Sequence, residues 1–575
     1  MQDPSEVRRM MRVARRAFTS SGFQLTPPAA DVVCKFLADN AESADATQLA
    51  RALQSALPAG QGTVVDVDAV RAARAQLRKH LQKATQESSV AGSQLSQMSF
   101  NRALTLEEGS KSISIVSAFD VPRMVWNDAR QRFHRDSASS SQNTGDVGDV
   151  LDRTRMFLDR YEALWQRCVR HPLFVGSVLV RGVRAQAPGK EVDLSRRISQ
   201  VISLMGNATG ERWIFGMLNE VEGNLVCEDT SGYVKLDVSS VEKKDKCLFT
   251  WGNFVLLRGR MSVDPNDAGI EGTSVSAISG VFHVAEIRMP PTESRFDSIE
   301  RCPDLDPLRR SAAELKELRR LERNSVDCIA VASDVHLDDD KCVRRLRKML
   351  NGLRDACLVC LVLCGNFSKS PYRYGVVGER ERYKKLFDTL AEVLETADVA
   401  PTVRSCKVVL VPGPSDPHLS GEPLPWRPLL SPFLRRVRNS VIASSMPCRL
   451  RWMTREFVVV RDNTIDCLRR ASLFHVEETE DQDVLPLVAS TILRQMHVSP
   501  VSTRIKPVWW KHDKGLRLLP QPDMLFLADS ATHTSSGARV QDCHVCAPGS
   551  FAVDGAFAFV QLHDLSVDAS VVEDA

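Results

Sequence analysis

From Cys328 onward, short wholly apolar runs alternate with stretches whose apolar residues recur every three or four positions. Cys328-Ile-Ala-Val-Ala-Ser reads as a buried strand, Arg344 to Met349 as helix, and Cys357 to Cys364 as a second strand. A helix near Arg382 to Leu394 and a third strand at Lys407-Val-Val-Leu-Val follow. Apolar runs this short suit strands covered on both faces, and their alternation with helices predicts an α/β sandwich from about 325 to the C-terminus. Between about 171 and 290 the period is two. Trp213-Ile-Phe-Gly-Met-Leu, Leu225-Val-Cys-Glu-Asp, Tyr233-Val-Lys-Leu-Asp-Val, Phe254-Val-Leu-Leu-Arg-Gly-Arg and Val281-Phe-His-Val-Ala-Glu-Ile are separated by Gly, Asn and Asp turns. Five short strands in this length predict an OB-fold barrel.

Upstream of the barrel the pattern is helical. Glu6 to Phe18 is basic and amphipathic, Pro27 to Leu37 opens with prolines suited to a helix start, and Ala69 to Ala84 continues the spacing. Residues 1–85 are therefore expected to form a helical N-terminal domain. Residues 86–150 read as a linker, rich in Ser and Gln near its start and in Ser, Asn and Gly from 136 to 148, with an ordered, strand-like tether near 113–133. A helix around Thr154 to Arg170 leads into the barrel domain, taken as 151–295, and Ala312 to Arg323 forms a charged helix at the head of the 296–575 domain.

Composition narrows the partners. With 75 basic and 72 acidic side chains in 575 residues, the formal charge of +3 provides no global cationic field for a phosphate backbone. If the chain acts on DNA, it is expected to do so through partners. No apolar run reaches the ~18 residues a membrane helix needs, so no membrane contact is expected. The 15 cysteines form no spaced framework, which favours a reducing compartment. Cys357 with Cys360, and Cys543 with Cys546, have zinc-like local spacing, but strand alternation turns the first two thiols to opposite faces, which favours core packing, and the second pair reads as part of a C-terminal strand running into Pro548-Gly-Ser-Phe.

Three strand ends stop in polar clusters: Ser333-Asp-Val-His-Leu337, Leu363-Cys-Gly-Asn-Phe-Ser368 and Val411-Pro-Gly-Pro-Ser-Asp-Pro417. Their order resembles that of the calcineurin-like metallophosphoesterases, in which D-x-H, G-D and G-N-H-[DE] loops hold two metals. A dinuclear site needs a bridging carboxylate and imidazoles to complete its shell. Asp334 and His336 keep the first motif, whereas Asn366 stands at the bridging carboxylate and Pro414-Ser415 replaces the expected Asn-His pair, with Asp416 retained. His497 is a candidate for a later histidine, and the closing G-H-x-H is absent near Ala528 to His533. The resulting expectation is a vestigial pocket of Asp334, His336, Asn366, Ser415, Asp416 and His497 with no catalysis and no cofactor. A single metal on Asp334, His336 and His497 stays open as an alternative.

The same loops, with Pro447-Cys-Arg-Leu450, Pro520 to Asp529 and Pro548-Gly-Ser-Phe551, resemble the B subunits of the eukaryotic replicative DNA polymerases over about 165–575. Ser117 to Asn127 and Asp159 to His171 resemble the segments ahead of the barrel in the epsilon branch of that family. The resemblance implies an OB barrel before an inactivated calcineurin-like phosphodiesterase sandwich, and an N-terminal module like the lid of an AAA+ ATPase. It further implies a nuclear, non-catalytic scaffold. The implied partners are the zinc-containing C-terminal domain of the catalytic subunit of polymerase epsilon, the replicative helicase through the N-terminal module, and small histone-fold subunits. No P-loop motif is present, so the lid-like module is not expected to bind nucleotide. Alternatives are the B subunits of polymerase delta or alpha, an active metal-dependent phosphoesterase, and an OB-based single-strand binder.

Overall fold

The alternating runs between 212 and 288 close on themselves. In the computed structural model, which describes residues 24–26, 28, 33, 64–65, 113–136, 148–174, 197–205, 210–262, 277–308, 310–417, 423–474, 484–529 and 537–573, Arg212–Val221 pairs antiparallel with Asn224–Glu228, which pairs with Tyr233–Asp237. Phe254–Ser262 lies antiparallel between Arg212–Val221 and Ala277–Arg288, and Ala277–Arg288 returns parallel to Tyr233–Asp237. The result is a Greek-key barrel of the OB type, with all five expected runs in its strands. The register shifts between Arg258 and Gly259, where an added Cβ would lie 2.1 Å from the His283 carbonyl oxygen. Glycine lets the bulged strand approach its neighbour there.

Two compact units divide the chain, Met1–Gly109 and Ser110–Ala575. In the first, Gln24–Leu25 pairs parallel with Val64–Val65. The helices expected within 1–85 otherwise lie outside the described residues.

In the second unit the α/β rhythm builds two stacked six-stranded sheets. The first runs Val441–Ala443, Lys407–Val411, Leu358–Cys364 and Cys328–Ala332 in parallel, followed by Ala556–Gln561 and Val567–Val571 antiparallel. The second is ordered Ala538–Val540, Cys543–Cys546, Met524–Leu527, Arg455–Val460, Cys448–Trp452 and Ser114–Ser117. Alternation sorts the strand residues onto two faces. Ile329, Val331, Cys360 and Val362 share one core with Leu450, Phe457 and Val459 of the second sheet. Ala330, Ala332, Leu361 and Leu363 pack instead with Leu346 and Leu350 of helix Asp340–Gly352 and with Leu386, Phe387 and Leu390 of helix Glu379–Glu395. Helices Thr464–Arg470 and Val484–Gln495 contribute Ile465, Leu468, Val488 and Ile492 to the core of the second sheet.

Helix Val150–Arg170 begins at Asp149 with a reciprocal capping box to Asp152, which satisfies otherwise orphaned N–H groups. Its inner face packs on the barrel. Leu164 and Cys168 lie with Trp213, Phe215 and Phe254, while Tyr161 stacks on Trp165 at 5.9 Å and meets Phe215 at 5.1 Å. Helix Val150–Arg170 therefore covers the barrel aromatics Trp213, Phe215 and Phe254, which are not free to stack on bases. Gln495 joins barrel to sandwich: its Oε1 accepts the Phe254 N–H at 2.9 Å and its Nε2 donates to the Phe254 carbonyl at 2.8 Å.

The two segments ahead of the barrel meet one another. Arg123 donates from Nε and Nη2 to Asp159 at 2.8 and 2.9 Å. The tether strand Ser114–Ser117 continues the second sheet along Cys448–Trp452. The described cysteines are all free thiols; Cys357 is exposed while Cys360, Cys543 and Cys546 are buried. Among the described residues no helix is long and apolar enough to cross a membrane.

Candidate functional site

Three neighbouring parallel strands, Cys328–Ala332, Leu358–Cys364 and Lys407–Val411, end on the same side of the first sheet. The carboxyl ends of parallel strands are where open α/β sheets usually place their chemistry. Each polar cluster identified in the sequence follows one of these strands, so adjacent strands bring Asp334, Asn366, Ser415 and Asp416 together. The loops are in backbone contact: a Cβ at Gly365 would lie 1.8 Å from Asp416 Oδ2, and one at Gly413 would lie 2.6 Å from the Gly365 carbonyl carbon.

Asp334 is buried and has a left-handed backbone, with φ of 56°. Its Oδ1 accepts the Asn366 backbone N–H at 3.3 Å and the Asn366 Nδ2 at 3.4 Å. Asn366 Oδ1 in turn accepts the Ser415 N–H at 2.8 Å. Asp416 is wholly committed to local donors. Phe367 N–H and Tyr383 Oη reach its Oδ1 at 2.8 and 2.9 Å, and Gly413 N–H reaches Oδ2 at 2.7 Å. Burial pushes the Asp416 carboxyl up to about 6 against the pull of those donors and of Arg461.

The residue that organises this cluster is Arg461, which follows the apolar strand Arg455–Val460 of the second sheet. Its guanidinium is fully buried. Nη2 donates to Asp334 Oδ1 and Nε donates to the Gly365 carbonyl. One arginine thus neutralises the first loop's carboxylate and ties it to the backbone of the second loop. Sequence reasoning missed Arg461, although a signal was present: a charge directly after Phe457-Val-Val-Val460 must either leave the core or find a buried partner.

His336 stands at the rim, half-buried, with its backbone N–H on the Asp334 carbonyl at 3.0 Å. Burial lowers its imidazole below the ordinary value, against the opposing pull of Asp334, Asp338 and Asp339. The expected placement of His497 in this pocket is corrected by its contacts. Its Nε2 faces Asp513 Oδ1 at 3.1 Å and its Nδ1 faces Ser499, so both ring nitrogens are engaged elsewhere. Asp513 also accepts from Arg160 and Arg517, and Arg517 continues to Asp159 at 3.1 Å. His497 belongs to the ion network that fastens helix Val150–Arg170 to the sandwich. Burial and Arg160 lower it to about 4, against the attraction of Asp513.

Asp529 is buried and caps Ile465 N–H at 2.9 Å, whereas His533 lies outside the described residues. Among the described residues, no group of three or more His, Cys, Asp or Glu side chains is placed to hold a metal ion.

Sequence comparison places known proteins against both domains. The family of DNA polymerase alpha/epsilon B subunits matches residues 329–536. The DNA polymerase epsilon subunit 2-like OB-fold domain matches residues 150–291. DNA polymerase epsilon subunit 2 of Homo sapiens is 31% identical over 456 residues, covering 77% of this chain and 80% of the human protein. The Mus musculus subunit 2 is 29% identical over 459 residues, covering 78% and 80%. The DNA polymerase epsilon B subunit of Saccharomyces cerevisiae is 25% identical over 510 residues, covering 76% and 72%.

Proposed function

This chain belongs to the family of DNA polymerase epsilon B subunits, also called subunit 2, and from that membership we infer that it is a non-catalytic accessory subunit of the polymerase. Its work is to hold the catalytic subunit in the replicative assembly in the nucleus. The two-sheet domain is a calcineurin-like phosphodiesterase body that has lost its hydrolytic function. The observation that carries this reading is the Arg461 guanidinium on Asp334 and the Gly365 carbonyl.

A dinuclear metal centre does not fit these residues. A cation-bearing side chain already neutralises Asp334, and both Asp416 oxygens accept N–H or O–H donors. The amide of Asn366 supplies no charge to offset two adjacent dications, and its oxygen is occupied by Ser415 N–H. The covered aromatics of the barrel support protein contact over single-strand binding.

By family resemblance, the barrel and sandwich grip the zinc-containing C-terminal domain of the catalytic subunit. The N-terminal module contacts the replicative helicase, and the small histone-fold subunits join the same complex. These assignments rest on the resemblance alone.

The test is capture of the full chain, with mass spectrometry of what accompanies it and metal analysis of the purified complex. Recovery of the epsilon catalytic subunit, with no Mn²⁺-dependent hydrolysis of a phosphodiester by the chain purified without that subunit, is the expected result. Recovery of the alpha or delta catalytic subunit, or hydrolysis that tracks two bound metals per chain, would overturn it.

A further inference from the structure

A second cluster of charge lies where the tether, the 304–307 segment, the second sheet and the 514–520 segment converge. They enclose a cavity of about 30 Å³, enough for one or two water-sized occupants. Its wall carries Arg135, Arg449, Arg451, Lys514 and Arg517 against Glu456 and the exposed Asp304. The cationic excess is only partly answered. Arg517 is paired with Asp513 and Asp159, while Arg449 and Arg451 share the single carboxylate of Glu456, at 2.9 and 2.8 Å. Arg135 reaches only main-chain carbonyls among the described residues, those of Asp306 and Pro307.

Two donors are left over. Arg449 is 2% exposed, and its Nη1 and Nη2 are used on Glu456, Gly515 and Arg517, yet its Nε has no hydrogen-bond partner among the described residues. The buried Arg135 Nε is likewise without one. A buried guanidinium N–H without an acceptor is costly, and a net-positive apolar-walled cavity beside it favours an anion over water. The remaining wall, including Val121, Pro122 and Leu305, offers no acceptor side chain.

We propose that this cavity is a binding site for one small monovalent inorganic anion of chloride size, held by the Nε–H groups of Arg449 and Arg135. The bound anion fastens the hairpin of strands Met124–Asn127 and Arg132–Arg135 to strand Cys448–Trp452 of the second sheet. The site is independent of the polymerase reading: it concerns this chain's own assembly, whichever large subunit it accompanies.

Bromide is the probe. Crystals of the complex grown in sodium bromide are expected to show an anomalous peak between Arg135 and Arg449. Density there without anomalous signal identifies water and overturns the proposal. In solution, at constant ionic strength with gluconate replaced by chloride, the unfolding midpoint is expected to rise by roughly 1–2 °C per tenfold chloride above saturation. Arg135→Met is expected to abolish that rise. A rise that persists in R135M is general salt action and counts against the site, as does a midpoint indifferent to chloride in the unaltered chain.

Discussion

Replacing Arg461 by methionine removes the charged partner that the second sheet gives to the buried Asp334 carboxylate. Methionine fills much of the same volume, so the loss is electrostatic more than steric. Breaking a buried pair from one side costs about 3–5 kcal/mol, and the Gly365 carbonyl loses a donor worth about 1 kcal/mol. Arg461→Met should therefore destabilise the sandwich by about 4–6 kcal/mol. Asp334→Asn in the same chain removes the orphaned charge, and the double variant should recover at least about 2 kcal/mol relative to the sum of the two singles. Because a multidomain chain need not unfold in one step, the readout is amide exchange of strands Cys328–Ala332 and Arg455–Val460, whose slowest protons report opening of this body. If Arg461→Met left those protons within about 0.5 kcal/mol of the unaltered chain, or if the double variant were as unstable as the sum of the singles, the pairing would not organise the loops.

Glu456 and His497 contribute to acid stability over different pH windows. Burial alone would raise Glu456, but Arg295, Arg449 and Arg451 hold it down to about 2 from an ordinary 4.5. Its stabilisation is present above pH 4.5 and is lost as pH falls toward 2, so Glu456→Gln should flatten the urea midpoint over that range by the equivalent of about 3 kcal/mol. His497 is depressed to about 4 from 6.5, so the unfolded chain takes up its proton first and stability declines as pH falls from 6.5 toward 4. Thermal melts of His497→Gln should show a shallower decline over that window, and an unchanged slope would remove His497 from the account. Gln495→Ala deletes both hydrogen bonds to Phe254. It should cost about 2 kcal/mol, seen as faster proteolysis at the barrel–sandwich junction without loss of either domain's own exchange protection.

Much of this architecture was legible because periodicity is local. The five barrel strands and the strand–helix alternation after 325 each declare themselves within ten or so residues. Pairing across long separations does not. Nothing in Ser114-Ile-Val-Ser117 says that its partner is Cys448–Trp452, since edge strands are selected by what remains unpaired once the sheet has formed. The loop cluster was legible residue by residue in Asp334, Asn366 and Asp416. Its organising cation was not, because the reading looked for the residues of a metal shell and Arg461 belongs to none. His497 was misplaced for the complementary reason. A histidine in roughly the right order along the chain says nothing about which carboxylate it faces, and Asp513, sixteen residues on, is the one it meets.

The geometry also shows what joins the three loops. A metal centre would join three loops through an exchangeable ion, so their mutual arrangement would depend on metal supply and pH. In this chain, covalently attached groups make those joins. Arg461 links the first loop to the second, Asn366 links the second to the third through Ser415, and Asp416 links the third back to the second through Phe367. Each join is buried or half-buried, where hydrogen bonds to charged groups are strongest. Because burial raises the Asp416 carboxyl only to about 6, that group stays mostly ionised at neutral pH. These fixed links, one between the first and second loops and two between the second and third, join the three strand ends without a diffusible component.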